Sequence, residues 1–175
     1  RVTNMTQAVG YLGNETIRAL VLTTNVFAQL GQHRMDWFPM EALWNHCILV
    51  GAVASRACTM RQAERSLADD AMLAGSLHDV GRLVLAVADS AAYKEAMVLA
   101  AKEGLSAGDA EARVLGATHA EAGAYLMGLW GLPDSVVEAV AYHHRPAEAG
   151  PPCWSALTAV HLADVVAHEV VPTAD

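Results

Sequence analysis

Aromatic side chains are scarce in this chain: they make up 6% of its 175 residues, although hydrophobic residues reach 54%. A core of that kind must be built from Ala, Leu and Val, the composition of tightly packed helices. Basic residues are also few. Eleven Lys and Arg against nineteen Asp and Glu leave a formal charge of −8, and the sequence pI is near 5.4. That balance argues against a general nucleic-acid surface, which needs clustered Lys and Arg, and against an anionic membrane surface. An anionic substrate stays open, because bound metal ions would dominate the local field.

Cysteine is equally thin. Cys47, Cys58 and Cys153 are odd in number and show no CxxC spacing, so neither a disulfide framework nor a zinc knuckle is indicated. Cys47 and Cys58 lie in an apolar stretch and read as small packing residues, which points to a reducing, cytoplasmic setting. No leader of the charged-apolar-small kind opens the chain, and no apolar run reaches the ~18 residues of a membrane span. A soluble protein is expected, of a length that fits one domain over 1–175. The chain begins at Arg1 without a Met, inside an apparent helix, so the expectation is a fragment of a longer protein.

Helical periodicity fills the sequence, and no segment shows convincing strand alternation. The expected fold class is therefore all-α, a multi-helix bundle. A short helix is read over Thr6 to Leu12, ended by Gly13. Asn14 then caps a helix whose Ile17, Leu20, Val21, Thr24 and Phe27 form one apolar stripe. After HRMDWF, Pro39 stands at a plausible first helical position, and a long helix runs from about Met40 to Cys58. A polar loop follows around Arg61 to Ala68, and Asp69 or Asp70 caps a helix that continues to about Ala88. Further helices run from Asp89-Ser90 to Glu103 and from Ser106 to Leu115, closed by Gly104 and Gly116. Thr118 with Glu121 makes a capping box for HAEAGAYLMGLW. Gly131 ends that helix, Pro133 opens SVVEAVAYHH, RPAEAGPP is a loop, and Ser155 starts the last helix.

On these helices lie the residues that carry chemistry. His78-Asp79 stands in AGSLHDVGRLVL, with His46 before it and His119, His143-His144 and Asp164 after it. Imidazole and carboxylate are ligands of borderline and hard divalent metals. Helical bundles build metal sites from ligands on several helices, and a bridging carboxylate suits two ions about 3.5–4 Å apart. Each residue also has an ordinary reading. His46 among Leu43, Cys47 and Val50 fits a buried hydrogen-bonded histidine, and His119 fits an exposed residue at a helix N-terminus. The helix dipole there disfavours protonation, which equally suits a ligand. His143 and His144 fit the carbonyls of a helix C-terminus. Asp164, flanked by Leu162, Ala163, Val165 and Val166, requires either a metal or a histidine partner. His161 and His168 read as surface or supporting groups, His33 as a loop residue, and Trp130, Leu132 and Pro133 as packing and turn residues.

The order H…HD…H…HH…D resembles the HD superfamily of metal-dependent phosphohydrolases, and in particular the HDOD domain of bacterial signalling proteins. The segments QAVGYLGNETIRALVL, LWNHCILVGAVASRA, AGSLHDVGRLVL, VLGATHAEAGAYLMGLWGLPDSVVEAVAYHHRP and LTAVHLADVVAH carry that resemblance over almost the whole chain. HDOD domains usually begin with additional helices before the QAVGYLG-like segment, which agrees with the expectation of a fragment. The resemblance implies an all-α HD-type bundle and an output or regulatory role beside a receiver, kinase or cyclic-dinucleotide module. It also implies metal ligation by His46, His78, Asp79, His119, His143, His144 and Asp164, with Fe, Mn, Zn or Mg as the divalent metal. The departures are specific. Related HD-GYP enzymes carry HDxGK, whereas Arg82 stands at the lysine position, and RPAEAGPP replaces their GYP loop. Arginine holds phosphate bidentately but does not readily move a proton. Ala42 occupies the place of the glutamate used by trinuclear relatives, with Glu41 beside it. Two ions rather than three are expected, and cyclic di-GMP is not indicated as substrate.

Two functions follow. The first is an HDOD output module that retains a metal site. The second is a phosphohydrolase on a nucleotide or cyclic dinucleotide, in which Asp79 and Arg82 carry the catalysis, Asp79 with the ions and Arg82 on the phosphate. A DNA-binding helical domain is disfavoured by the acidic charge.

Overall fold

Capping side chains mark where the helices begin. Asp89 accepts from the Ala92 backbone N–H at 3.0 Å and Ser106 from that of Asp109 at 3.1 Å. Thr118 and Glu121 satisfy each other's backbone N–H groups, closing the capping box. The computed structural model describes residues 14–30, 35–151 and 153–170, and the regular structure among them is helical, with no strand. In chain order the helices are α1 (Asn14–Leu30), α2 (Met40–Met60), α3 (Arg65–Leu77), α4 (Val80–Ala88) and α5 (Ser90–Glu103). They continue with α6 (Ala107–Leu115), α7 (His119–Leu129), α8 (Asp134–Tyr142), a 3-10 turn (Pro146–Glu148) and α9 (Ala156–Val170). The helix read over Thr6 to Leu12, and His33, lie outside the described residues.

Small residues let α3 run through the centre, packed by α1, α2, α8 and α9. Where α2 and α3 cross, a Cβ on Gly75 would collide with the backbone of Gly51. Ala71, Ala74 and Leu77 of α3 are fully buried, as are Cys47, Val50, Ala54 and Cys58 of α2. That Ala-rich seam is the core the scarcity of aromatics requires. The stretch Arg65–Ala88 passes as a membrane span by length and hydropathy, but 67% of its best window is buried inside the bundle. Its apolarity serves the core.

Four details differ from the sequence reading. α3 begins at Arg65, before the expected cap at Asp69 or Asp70. Those acids lie inside the helix, where Asp69 pairs with Arg65 and Asp70 accepts from Ser135 Oγ at 2.6 Å. The helix is also interrupted at the HD doublet: α3 ends at Leu77, and Asp79, with φ −100° and ψ 6°, precedes α4. Among the described side chains of α1, Thr23, Val26 and Phe27 are buried, while Val21 and Thr24 are exposed. α1 is apolar on more than one side, so its period left the docking face undetermined. Trp130, finally, is 43% exposed at the end of α7 instead of packed inside.

Candidate metal centre

His78 and Asp79, in the two-residue interruption between α3 and α4, are both buried. His78 Nδ1 lies 2.7 Å from the Gly75 carbonyl, one of the acceptors left open at the end of α3. A carbonyl only accepts, so Nδ1 carries the proton and Nε2 presents its lone pair. His143, just past α8, repeats the device: its Nδ1 donates to the Val140 carbonyl at 2.7 Å. His119, in the first turn of α7, donates from Nδ1 to Glu111 Oε2 at 2.6 Å, and the same oxygen accepts the His119 backbone N–H at 2.7 Å. Three buried imidazoles thus have their tautomers fixed from behind and aim Nε2 into one space, the arrangement second partners give to metal-binding histidines.

Asp79 lies between them. Its Oδ1 is 3.3 Å from His119 Nε2 and 3.7 Å from His143 Nε2. Its Oδ2 faces His78 Nε2 at 3.7 Å and Arg82 Nε at 3.2 Å. His144 completes one side, its Nε2 2.9 Å from that of His119. On the other side His46 Nε2 is 2.9 Å from Asp164 Oδ1, which also lies 3.6 Å from His78 Nε2. The structure therefore brings together His46, His78, Asp79, His119, His143, His144 and Asp164. Their ligand atoms fall into overlapping groups, Asp79 with His119, His143 and His144, and Asp79 with His46 and His78. A further group joins His46 and Asp164 to His168.

These spacings fit divalent ions. Two nitrogens each about 2.1 Å from one ion, at 90–109°, lie about 3.0–3.4 Å apart. His78 Nε2, Asp79 Oδ1 and His143 Nε2 are buried without a hydrogen-bond partner. Buried polar atoms are rarely left so, and three converging ones of ligand type call for a cation. The charges agree. Burial works against the Asp79 carboxylate, yet Arg82, His78 and His143 hold it well below the usual range. Asp164 is likewise held low against its burial, by His46 and His78. For His78, burial is outweighed by Asp79 and Asp164, which raise it and so favour positive charge between them. Burial lowers His143, and burial with the imidazoles of His143 and His119 lowers His144.

The sequence reading did not single out Glu111. It is fully buried on α6, and its one signal was an acid in register with Ala107 and Leu115 on that helix's inner face. His168 is nearer the centre than a surface position implies, its Nδ1 3.2 Å from Asp164 Oδ1 and its ring 4.6 Å from that of His46. His161 supports from behind, donating from Nδ1 to the His143 carbonyl at 2.7 Å. Arg82, half-buried, is paired with Asp79. A cavity of about 680 Å³ opens onto His46, Asp79, Arg82 and His168.

Residues 1–146 match the HDOD domain family. An HDOD domain protein of unknown function from Geobacter sulfurreducens superimposes with a TM-score of 0.77 at 24% identity, over 94% of this chain and 54% of its own. A candidate phosphohydrolase from Shewanella amazonensis SB2B gives 0.79 at 23% identity, over 97% of this chain and 61% of its own. A candidate signal transduction protein from Marinobacter aquaeolei VT8 gives 0.59 at 29% identity, over 74% and 28%. The chain thus spans between a quarter and three fifths of the length of these proteins, and the first two likenesses carry the fold alone. No curated protein matches it.

Proposed function

The chain belongs to the HDOD domain family, and from that premise we propose that it is a regulatory output module of a bacterial signalling protein whose His/Asp centre holds two divalent ions. One observation carries the metal half: the two oxygens of buried Asp79 face different histidines, Oδ1 towards His119 and His143, Oδ2 towards His78. One ion would take Asp79, His119, His143 and His144; the other Asp79, His46, His78 and Asp164. An imidazole-rich set suits Fe or Zn better than Mg, while the carboxylates of Asp79 and Asp164 also suit Mn. The partner is a receiver, kinase or cyclic-dinucleotide module, in the same or another protein. Arg82 supports the regulatory half, because it stands where the related enzymes carry a lysine, with its Nε 3.2 Å from Asp79.

The second reading is a phosphohydrolase, for which the sequence pointed to a nucleotide or cyclic dinucleotide; what favours hydrolysis is the end of the cavity that opens onto Asp79 and Arg82. When bound, such ions supply Lewis-acid polarisation of a phosphoryl oxygen and activation of water near neutral pH. The chain's own contribution is then to fix three histidine tautomers, hold Asp79 ionised, and place Arg82 where a phosphate would sit.

One experiment separates the readings. Protein purified without chelator is reconstituted with Mn, Fe, Zn or Mg, its metal content measured, and a panel of phosphoesters and cyclic dinucleotides screened, with Asp79→Ala and Asp79→Asn in parallel. Two ions without turnover support the module. Turnover that both variants abolish supports the enzyme. No retained metal under any condition contradicts the centre itself.

A further inference from the structure

The cavity beside the centre has two chemically distinct ends. Its volume of about 680 Å³ falls in the ~300–1,000 Å³ range of small-molecule sites. His46, Asp79, Arg82 and His168 form the inner end, and among the described residues the rest of the lining is uncharged. Trp37, Phe38, Leu43, Met97 and Leu105 make up much of the wall. The Tyr93 phenol also lines it, but the ring is buried and its hydroxyl interacts with the Glu111 carboxylate. Trp37, Phe38 and Tyr93 stand with ring centroids 5.8–6.2 Å apart, giving one side an aromatic face. A ribose or a base enclosed here would leave most of its polar edges unpaired, at a cost in affinity for each. The chamber's chemistry matches a ligand that is charged at one end only.

We propose that this chamber binds a phosphate monoester with an apolar body, an alkyl or aryl group, its phosphate at Arg82 and the metal centre. The body packs against Trp37, Phe38, Met97 and Leu105. The headgroup half rests on the metal reading above, since without ions the inner end sets the carboxylate of Asp79 against Arg82. The body half rests on the chamber alone.

The test is calorimetric titration of metal-loaded and chelator-stripped protein with ethyl, butyl, hexyl and octyl phosphate, and with adenosine monophosphate. Affinity is expected to rise roughly fourfold per methylene while the chain is being buried, and metal loading is expected to tighten every member. Ala101→Phe on the exposed lip of the chamber, and Leu105→Gln on its wall, are expected to flatten the chain-length dependence with metal content unchanged. Ethyl and octyl phosphate of equal affinity, a slope untouched by both variants, or adenosine monophosphate binding more tightly than octyl phosphate would each overturn the proposal. A slope that persists with no gain from metal keeps the apolar chamber and refutes the headgroup's dependence on the centre.

Discussion

Replacing Glu111 with glutamine keeps the shape behind His119 and removes only its charge. In the structure a single oxygen, Oε2, accepts both the His119 backbone N–H and its ring Nδ1–H, at 2.7 and 2.6 Å, in side chains that solvent does not reach. The amide oxygen of glutamine can accept the same two bonds, so the ring and its tautomer stay in place. What is lost is the carboxylate that strengthens Nε2 as a ligand. Partners of this kind are worth about 10- to 100-fold in metal affinity, or about 1.4–2.8 kcal/mol. Glu111→Ala differs, because two buried donors lose their acceptor at about 1–3 kcal/mol each, so the fold itself weakens. The assay is competition for Zn or Mn against a chromophoric chelator, with denaturant unfolding of the metal-free variants alongside. Glu111→Gln binding metal within about twofold of the parent, where Asp79→Asn has lost it, would refute the argument that Glu111 tunes His119.

Three further outcomes are expected. Gly81→Ala inserts a Cβ into the His119 carbonyl, where α4 crosses the first turn of α7; it should cost about 1–3 kcal/mol by denaturant unfolding and weaken metal binding together with the fold. Thr118→Ala removes the cap of α7 at a cost of about 1 kcal/mol. Hydrogen bonds from the Thr118 backbone N–H and hydroxyl hold Glu121 below its ordinary value; that stability is complete above about pH 4.3 and is lost as pH falls through the lower folded value, so both proteins should weaken in acid and the gap between them should narrow only by the share of the hydroxyl. Among the cysteines, Cys153 is exposed while Cys47 and Cys58 are buried, and burial pushes both thiols up; a thiol reagent should modify one cysteine of the native protein quickly and the other two only on unfolding.

The sequence was most legible where chemistry is local. Asp89, Ser106 and Thr118 cap helices by hydrogen bonds within three residues, and the order of histidines and acids marked the residues that converge at the centre. It was least legible where tertiary contact decides. The turn at His78-Asp79 depends on His78 taking the Gly75 carbonyl and on the approach of Gly81 to α7, and neither interrupts the helical period. Glu111 was hidden because its partner, His119, sits eight residues on in the next helix. α1 offered more than one apolar side, and only contact with the bundle selects Thr23, Val26 and Phe27.

The central claim is that Asp79 joins two ion sites. Crystals of the protein reconstituted with Mn or Zn, measured on both sides of the metal's absorption edge, test it directly. Two anomalous peaks about 3.5–4 Å apart, one on the side of His119, His143 and His144 and one on the side of His46 and His78, each touching an oxygen of Asp79, are predicted. Peaks only at surface histidines, or none within reach of Asp79, would contradict the account.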